Sequence, residues 1–251
     1  MSTTNNACCS IQPVVAKGYK AKGEYQTING LKTYVTGPTT ATKAILMVYD
    51  IFGFVDQTIQ GADILATSCH QKYRVFMPDF FEGGAADISW YSPTNEEQEQ
   101  LLQQFLHTKT TPLPAISKIS AMVQGGNMYA IGGRYESWSI LGLCWGGKIA
   151  ALCASSRDKL FKAAVQCHPA MLDVNDAERV NVPFACLASK DEPSGDIMAF
   201  KAKLCVPNHV EIFTTQVHGW MAARADLEIP EVAREYERGY RIVLEFLGRH
   251  A

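Results

Sequence analysis

Cys144 stands in Gly142-Leu143-Cys144-Trp145-Gly146-Gly147, a thiol with glycines two residues to either side. That spacing suits a nucleophile on a sharp turn between a strand and a helix. Small neighbours let the backbone close tightly there and leave the reactive side chain outward. Serine commonly fills such an elbow, and a cysteine would bring a thiolate able to attack a carbonyl carbon. A helix beginning after Cys144 would aim free backbone N–H groups at the sulfur and at a developing oxyanion. The N–H of Trp145 is the natural donor. A buried structural cysteine is the plain alternative, and the strand–turn–helix context favours the elbow over it.

A thiol needs a base. In folds that carry such an elbow the partners follow in the order nucleophile, acid, histidine. Of six histidines, His218 in Gln216-Val217-His218-Gly219-Trp220 comes just after the last apolar run, where a loop would reach over the sheet. His209 precedes that run, and His250 is next to the end of the sequence. His168, in Cys167-His168-Pro169, follows a strand but comes before any candidate acid, and is expected to line the pocket. The acid should follow the run Phe184–Ala188. Asp191, in Ser189-Lys190-Asp191-Glu192-Pro193, is the expected residue, holding the His218 tautomer and stabilising the imidazolium. Glu192 is its nearest competitor. Asp173, Asp176 and Asp196 are less well placed.

The elements that must position these groups are legible in outline. Residues 24–28 and 31–35 alternate around Asn29-Gly30 and read as a β-hairpin. The apolar run 44–49 suits a strand buried on both faces, ending at Asp50. Residues 57–72 have helical spacing, 74–79 read as a strand, and 94–107 open with a capping-box spacing at Thr94 and Glu97. A further helix is expected over 113–124, and a strand over 138–143 leads into a helix over 148–155. Strands follow at 161–167, 184–188 and 210–214, with a closing amphipathic helix over 231–247. Strands alternating with helices predict an α/β fold with a mostly parallel, doubly wound sheet flanked by helices. In such sheets the working residues lie beyond the C-terminal strand ends. No repeat or linker interrupts the pattern. One domain over 1–251 is expected, with 1–23 a surface leader.

Bulk properties exclude other classes. A formal charge of −2, with Lys and Arg scattered, gives no basic field to gather nucleic acid or anionic lipid. No apolar stretch has the length of a membrane span, and the first residues lack the basic and apolar regions of a secretory signal. A cytoplasmic address is expected. Eight cysteines lack Cys-x-x-Cys spacing, and Cys153, Cys167 and Cys186 lie in apolar runs as small buried hydrophobes. Cys8-Cys9 reads as part of a packed or weakly ordered leader.

The ordered set resembles the dienelactone hydrolase family within the α/β-hydrolases, closest to its fungal-type members. The resemblance rests on the Cys144 elbow, Asp50-Ile51-Phe52-Gly53, Pro78-Asp79-Phe80, Asp191 and His218-Gly219, and runs from about residue 24 onward. It implies a Cys144–Asp191–His218 triad and an oxyanion hole formed by the N–H groups of Ile51 and Trp145. It also implies a carboxylate before Ile-Phe-Gly that contacts the thiol. Asp50 fills that place where the family has Glu, one methylene longer. Such an anion would raise the thiol pKa and protect the resting sulfur from oxidation. The bacterial enzymes of the family hold a substrate carboxylate with arginines near the Pro-Asp loop and after the histidine. Here the loop 79–84 has none, and Arg224 is offset from the expected position. Phe54, Phe81, Glu82, His168, Trp220 and Arg224 are the expected pocket residues. The reading is a hydrolase of carboxylic esters or lactones working through an acyl-enzyme, with no cofactor and no metal. Its partner is a small-molecule substrate rather than nucleic acid or membrane, and it is a monomer or homodimer. The alternative is a hydrolase-fold binding or redox-sensing protein with Cys144 as a reactive thiol.

Overall fold

The structure, a computed structural model, describes residues 11, 13–68, 70, 72–91, 93–124 and 135–251. Cys8, Cys9 and Cys69 lie outside the described residues. Strands β1 (Glu24–Ile28) and β2 (Leu31–Thr36) form the hairpin around Asn29-Gly30, both at positive φ. Then come β3 (Lys43–Val48), α1 (Asp56–Thr67), β4 (Tyr73–Pro78), α2 (Glu96–Lys109) and α3 (Pro112–Gln124). β5 (Ser137–Leu143) runs into α4 (Trp145–Ala154), followed by β6 (Ala163–Cys167) and β7 (Phe184–Ser189). α5 (Ser194–Lys203), β8 (Asn208–Phe213) and α6 (Pro230–His250) complete the order.

Among the described residues, eight strands form one sheet in the order β1-β2-β4-β3-β5-β6-β7-β8. β2 pairs antiparallel with β1 and with β4, and every later pairing is parallel. The central strands are buried along nearly their whole length, as helices on both faces of a parallel sheet require. The expected doubly wound architecture is therefore the observed one.

Two helix starts need correction. The cap of α2 is Asn95, whose side chain accepts from Gln98 N–H, while the Gln98 side chain accepts from Thr94 N–H. The cap thus sits one residue later than Thr94, and the bond returning from Gln98 reaches the residue before it. α4 begins at Trp145 rather than 148, because Gly146 and Gly147 lie inside its first turn. The polar stretch after β7 contains α5, whose weak apolar periodicity buries only Ile197 and Phe200.

The described part of the leader is tied down. Val15 exchanges hydrogen bonds with Gln60 on α1, and Val14 N–H donates to Glu237 on α6. Asp63, fully buried on α1, accepts from the hydroxyls of Tyr19, Tyr34 and Thr36 and from Lys22 N–H. A buried carboxylate is tolerated only when such donors satisfy it.

Candidate active site

Parallel strands open their C-terminal ends to one edge of the sheet, and the singled-out residues collect there. Asp50 and Ile51 follow β3, Cys144 follows β5, His168 follows β6, Asp191 and Glu192 follow β7, and His218 follows β8. Cys144 is the residue before α4, with φ 54° and ψ −112°, a conformation that L-residues avoid. The glycines make that turn possible. A Cβ on Gly142 would lie 1.8 Å from the Gly146 carbonyl oxygen, and one on Gly146 would lie 2.2 Å from the Val48 oxygen. Cys144 N–H donates to the Cys167 carbonyl, and the Cys144 carbonyl accepts from Gly147 and Ala170. The elbow is thereby laced to both the helix and the next strand. As the first residue of α4, Trp145 has an N–H without an intrahelical acceptor.

His218 reaches this turn from the other side. Its Nδ1 lies 2.7 Å from Glu192 Oε1, and its backbone N–H donates to Asp191 Oδ2 at 2.8 Å. The neighbouring acids thus divide the work differently from expectation. Asp191 holds the His218 main chain, and Glu192 meets the ring. Glu192 can do so because its carboxylate is buried and folded back onto Ser189, accepting from both its N–H and its hydroxyl. Burial opposes a charged His218 ring, but hydrogen bonding and charge from Cys144 and Glu192 outweigh it and push the pKa up to about 10. Gly219, at φ 89°, turns the loop so that Arg224 can donate to the His218 carbonyl.

Asp50 is buried, its Oδ1 accepting from Phe52 N–H at 2.8 Å and its Oδ2 from Ala223 N–H at 3.2 Å. It therefore caps its own turn and ties that turn to the His218 loop. Burial pushes its carboxyl up to about 6, against the pull of those N–H groups and of His218.

A cleft of about 570 Å³ reaches His218 and Glu192, walled by Tyr91, Met171, Leu172, Asp191, Pro193 and Asp196. None of the expected pocket residues lines it. Phe81 and Trp220 are core, Phe81 packed on Trp145 at 4.7 Å between ring centroids and Trp220 on Phe213 at 4.2 Å. Phe54 packs on Tyr25 and Tyr49, and Glu82 is exposed and paired with Lys118. Arg224 acts one layer out, its guanidinium 3.7 Å from the centre of the Tyr91 ring. His168 is fully buried beneath His218, the ring centroids 5.2 Å apart. Tyr91, Met171 and Leu172 carried no readable signal, since each lies in an irregular segment. Among the described residues, no cluster of three or more His, Cys, Asp or Glu side chains could hold a metal ion. Nor is any described helix long and apolar enough to cross a membrane. Cys153, Cys167 and Cys186 are buried and unpaired, as expected, and burial pushes the Cys153 and Cys186 thiols up to about 12.

Known proteins share this arrangement of strands. The dienelactone hydrolase from Anabaena variabilis superposes with a TM-score of 0.62, at 15% identity, over 96% of this chain and 97% of that one. In sequence, an uncharacterized AIM2 family protein of Schizosaccharomyces pombe is 34% identical, covering 96% of this chain and 97% of its own length. A carboxymethylenebutenolidase homolog of Xenopus tropicalis is 26% identical over 98% of both. The family model described as dienelactone hydrolase family matches residues 31–251, nearly the whole chain from β2 onward. The elbow, the strand order and this match together make the chain a member of the dienelactone hydrolase family.

Proposed function

We propose that this chain, a hydrolase acting on ester bonds, cleaves carboxylic esters or lactones by way of a thioester on Cys144. The observation that carries the reading is the His218 ring, held by Glu192 at 2.7 Å and interacting with the elbow thiol. Cys144 attacks the carbonyl carbon, and the N–H groups of Ile51 and Trp145 receive the oxyanion. His218, protonated beside Glu192, gives its proton to the leaving oxygen and then takes one from water. Glu192 orients the ring in the role expected for Asp191, and Asp191 fixes the loop that carries it. Asp50, buried at the same strand edge, modulates the charge around the thiol. The cleft suits a small molecule, and the name of the Xenopus relative fits a lactone ring. The cysteines among the described residues are unpaired, which suits a reducing, cytoplasmic setting.

Turnover of short-chain esters and simple lactones tests this. The purified protein is expected to hydrolyse them, and Cys144→Ala to lower kcat/KM by about 10³-fold or more. Equal turnover by the two proteins contradicts the assignment. Reversible oxidation of Cys144 without turnover of any ester would favour the redox-sensing alternative.

A further inference from the structure

His168 is a polar side chain where an apolar one would pack as well. It follows β6, and the pairing of Leu143 with Cys167 places it beside Cys144 across the strand ends. Its N–H donates to the Leu187 carbonyl at 2.7 Å, two residues before Ser189, the residue that anchors Glu192. The site thus holds it on both sides. Its φ of 36° is a conformation that a non-glycine residue adopts at a penalty, and such strain collects at functional positions. The ring is fully buried, edge-to-face against His218 at 5.2 Å and 72°, and neither of its nitrogens has a hydrogen-bond partner. Burial, with the charges of His218 and Arg224, holds its pKa well below the usual range. A neutral imidazole offers one donor and one acceptor. A phenylalanine would give the same ring contact without stranding two polar atoms.

We propose that His168 is a further catalytic residue, which holds the water that discharges the acyl group from Cys144. The proposal rests on the thioester reading above. The water oxygen bonds to the acyl carbon, one of its protons passes to the free ring nitrogen of His218, and its other O–H donates to the unprotonated nitrogen of His168. The tetrahedral intermediate then collapses with cleavage of the carbon–sulfur bond. Sulfur leaves with the electron pair as a thiolate beside the new imidazolium, and the product is the carboxylic acid. The next residues, Pro169 and Ala170, line the cleft.

Pre-steady-state hydrolysis of p-nitrophenyl butyrate separates the two halves of the reaction, with intact-protein mass spectrometry following the Cys144 adduct. His168→Phe is expected to acylate within about twofold of the parent rate and to discharge the acyl group at least about tenfold more slowly. His168→Gln, which keeps a donor and an acceptor, is expected to recover most of that loss. Three results overturn the proposal: unchanged discharge in His168→Phe, equal slowing of both steps, or His168→Gln slowed as much as His168→Phe. Should the Phe variant not fold, a high-resolution structure of Cys144→Ala decides. An ordered water within hydrogen-bond distance of a His168 ring nitrogen is expected, and its absence overturns the proposal. A parent protein that forms no Cys144 adduct removes the thioester reading and this inference with it. An adduct in the parent with unaltered discharge in His168→Phe contradicts the inference alone.

Discussion

At the scale of single residues, the division of labour between Asp191 and Glu192 has consequences that separate them. Glu192→Gln leaves His218 Nδ1 facing an amide, which no longer stabilises the imidazolium. It is expected to lower kcat by about 10²- to 10⁴-fold with a modest change in KM. Asp191→Asn keeps an oxygen able to accept from His218 N–H and is expected to cost about tenfold or less. Steady-state kinetics on both variants check this, and the reverse order would return the acid's role to Asp191. The choice was not readable from the sequence. The two carboxylates are adjacent in a loop, and which one meets the ring is set by the backbone after Ser189 and by the fold of Glu192 onto that residue. Asp50 carries a second test. Its carboxyl binds a proton more tightly in the folded protein, near 6, than in the unfolded chain, near 3.8. The stability this contributes is fully present below pH 3.8 and is lost as pH rises through 6. The change is up to about 3 kcal/mol. Urea unfolding at a series of pH values is expected to show that fall in the parent and not in Asp50→Asn. Parallel curves for the two proteins would remove Asp50 as its source.

At the scale of elements, the elbow and the leader rest on contacts that tolerate little change. Gly142→Ala drives a methyl group into the Gly146 and Gly147 backbone of the β5–α4 turn, and Gly146→Ala drives one into the Val48 and Tyr49 carbonyls at the end of β3. Each is expected to lose more than about 4 kcal/mol or fail to fold, by thermal unfolding or soluble yield. A variant that keeps the parent's stability would mean the turn is looser than described. Asp63→Ala strands the hydroxyls of Tyr19, Tyr34 and Thr36 and the N–H of Lys22, and a loss of about 3 kcal/mol or more is expected. Limited proteolysis should then cut first within residues 14–23. The glycines were legible because a sharp turn demands them and their spacing is fixed. Asp63 was not, since its partners lie on three segments that only the tertiary fold brings together. α5 was missed for the opposite reason, because its polar sequence gives no periodic apolar face.

At the scale of the whole molecule, the sheet explains why residues spread from 50 to 218 share one site. A parallel order with helical crossovers places the C-terminal ends of β3 to β8 on the same edge, so the chain order of apolar runs predicts which loops meet. That much follows from periodicity. The wall of the cleft does not, because Tyr91, Met171 and Leu172 come from segments without repeat. The aromatics that looked available, Phe81 and Trp220, were drawn into the core by the larger area they bury there. The central claim concerns the thiol at the elbow. It is tested most directly by quenching the protein during turnover of a slowly discharged ester and locating the added mass by peptide mass spectrometry. One acyl group on the peptide containing Cys144, absent from Cys144→Ala and lost on further incubation, is the expected result. Ester turnover with no adduct on Cys144, or an adduct that persists unchanged in Cys144→Ala, would contradict the account.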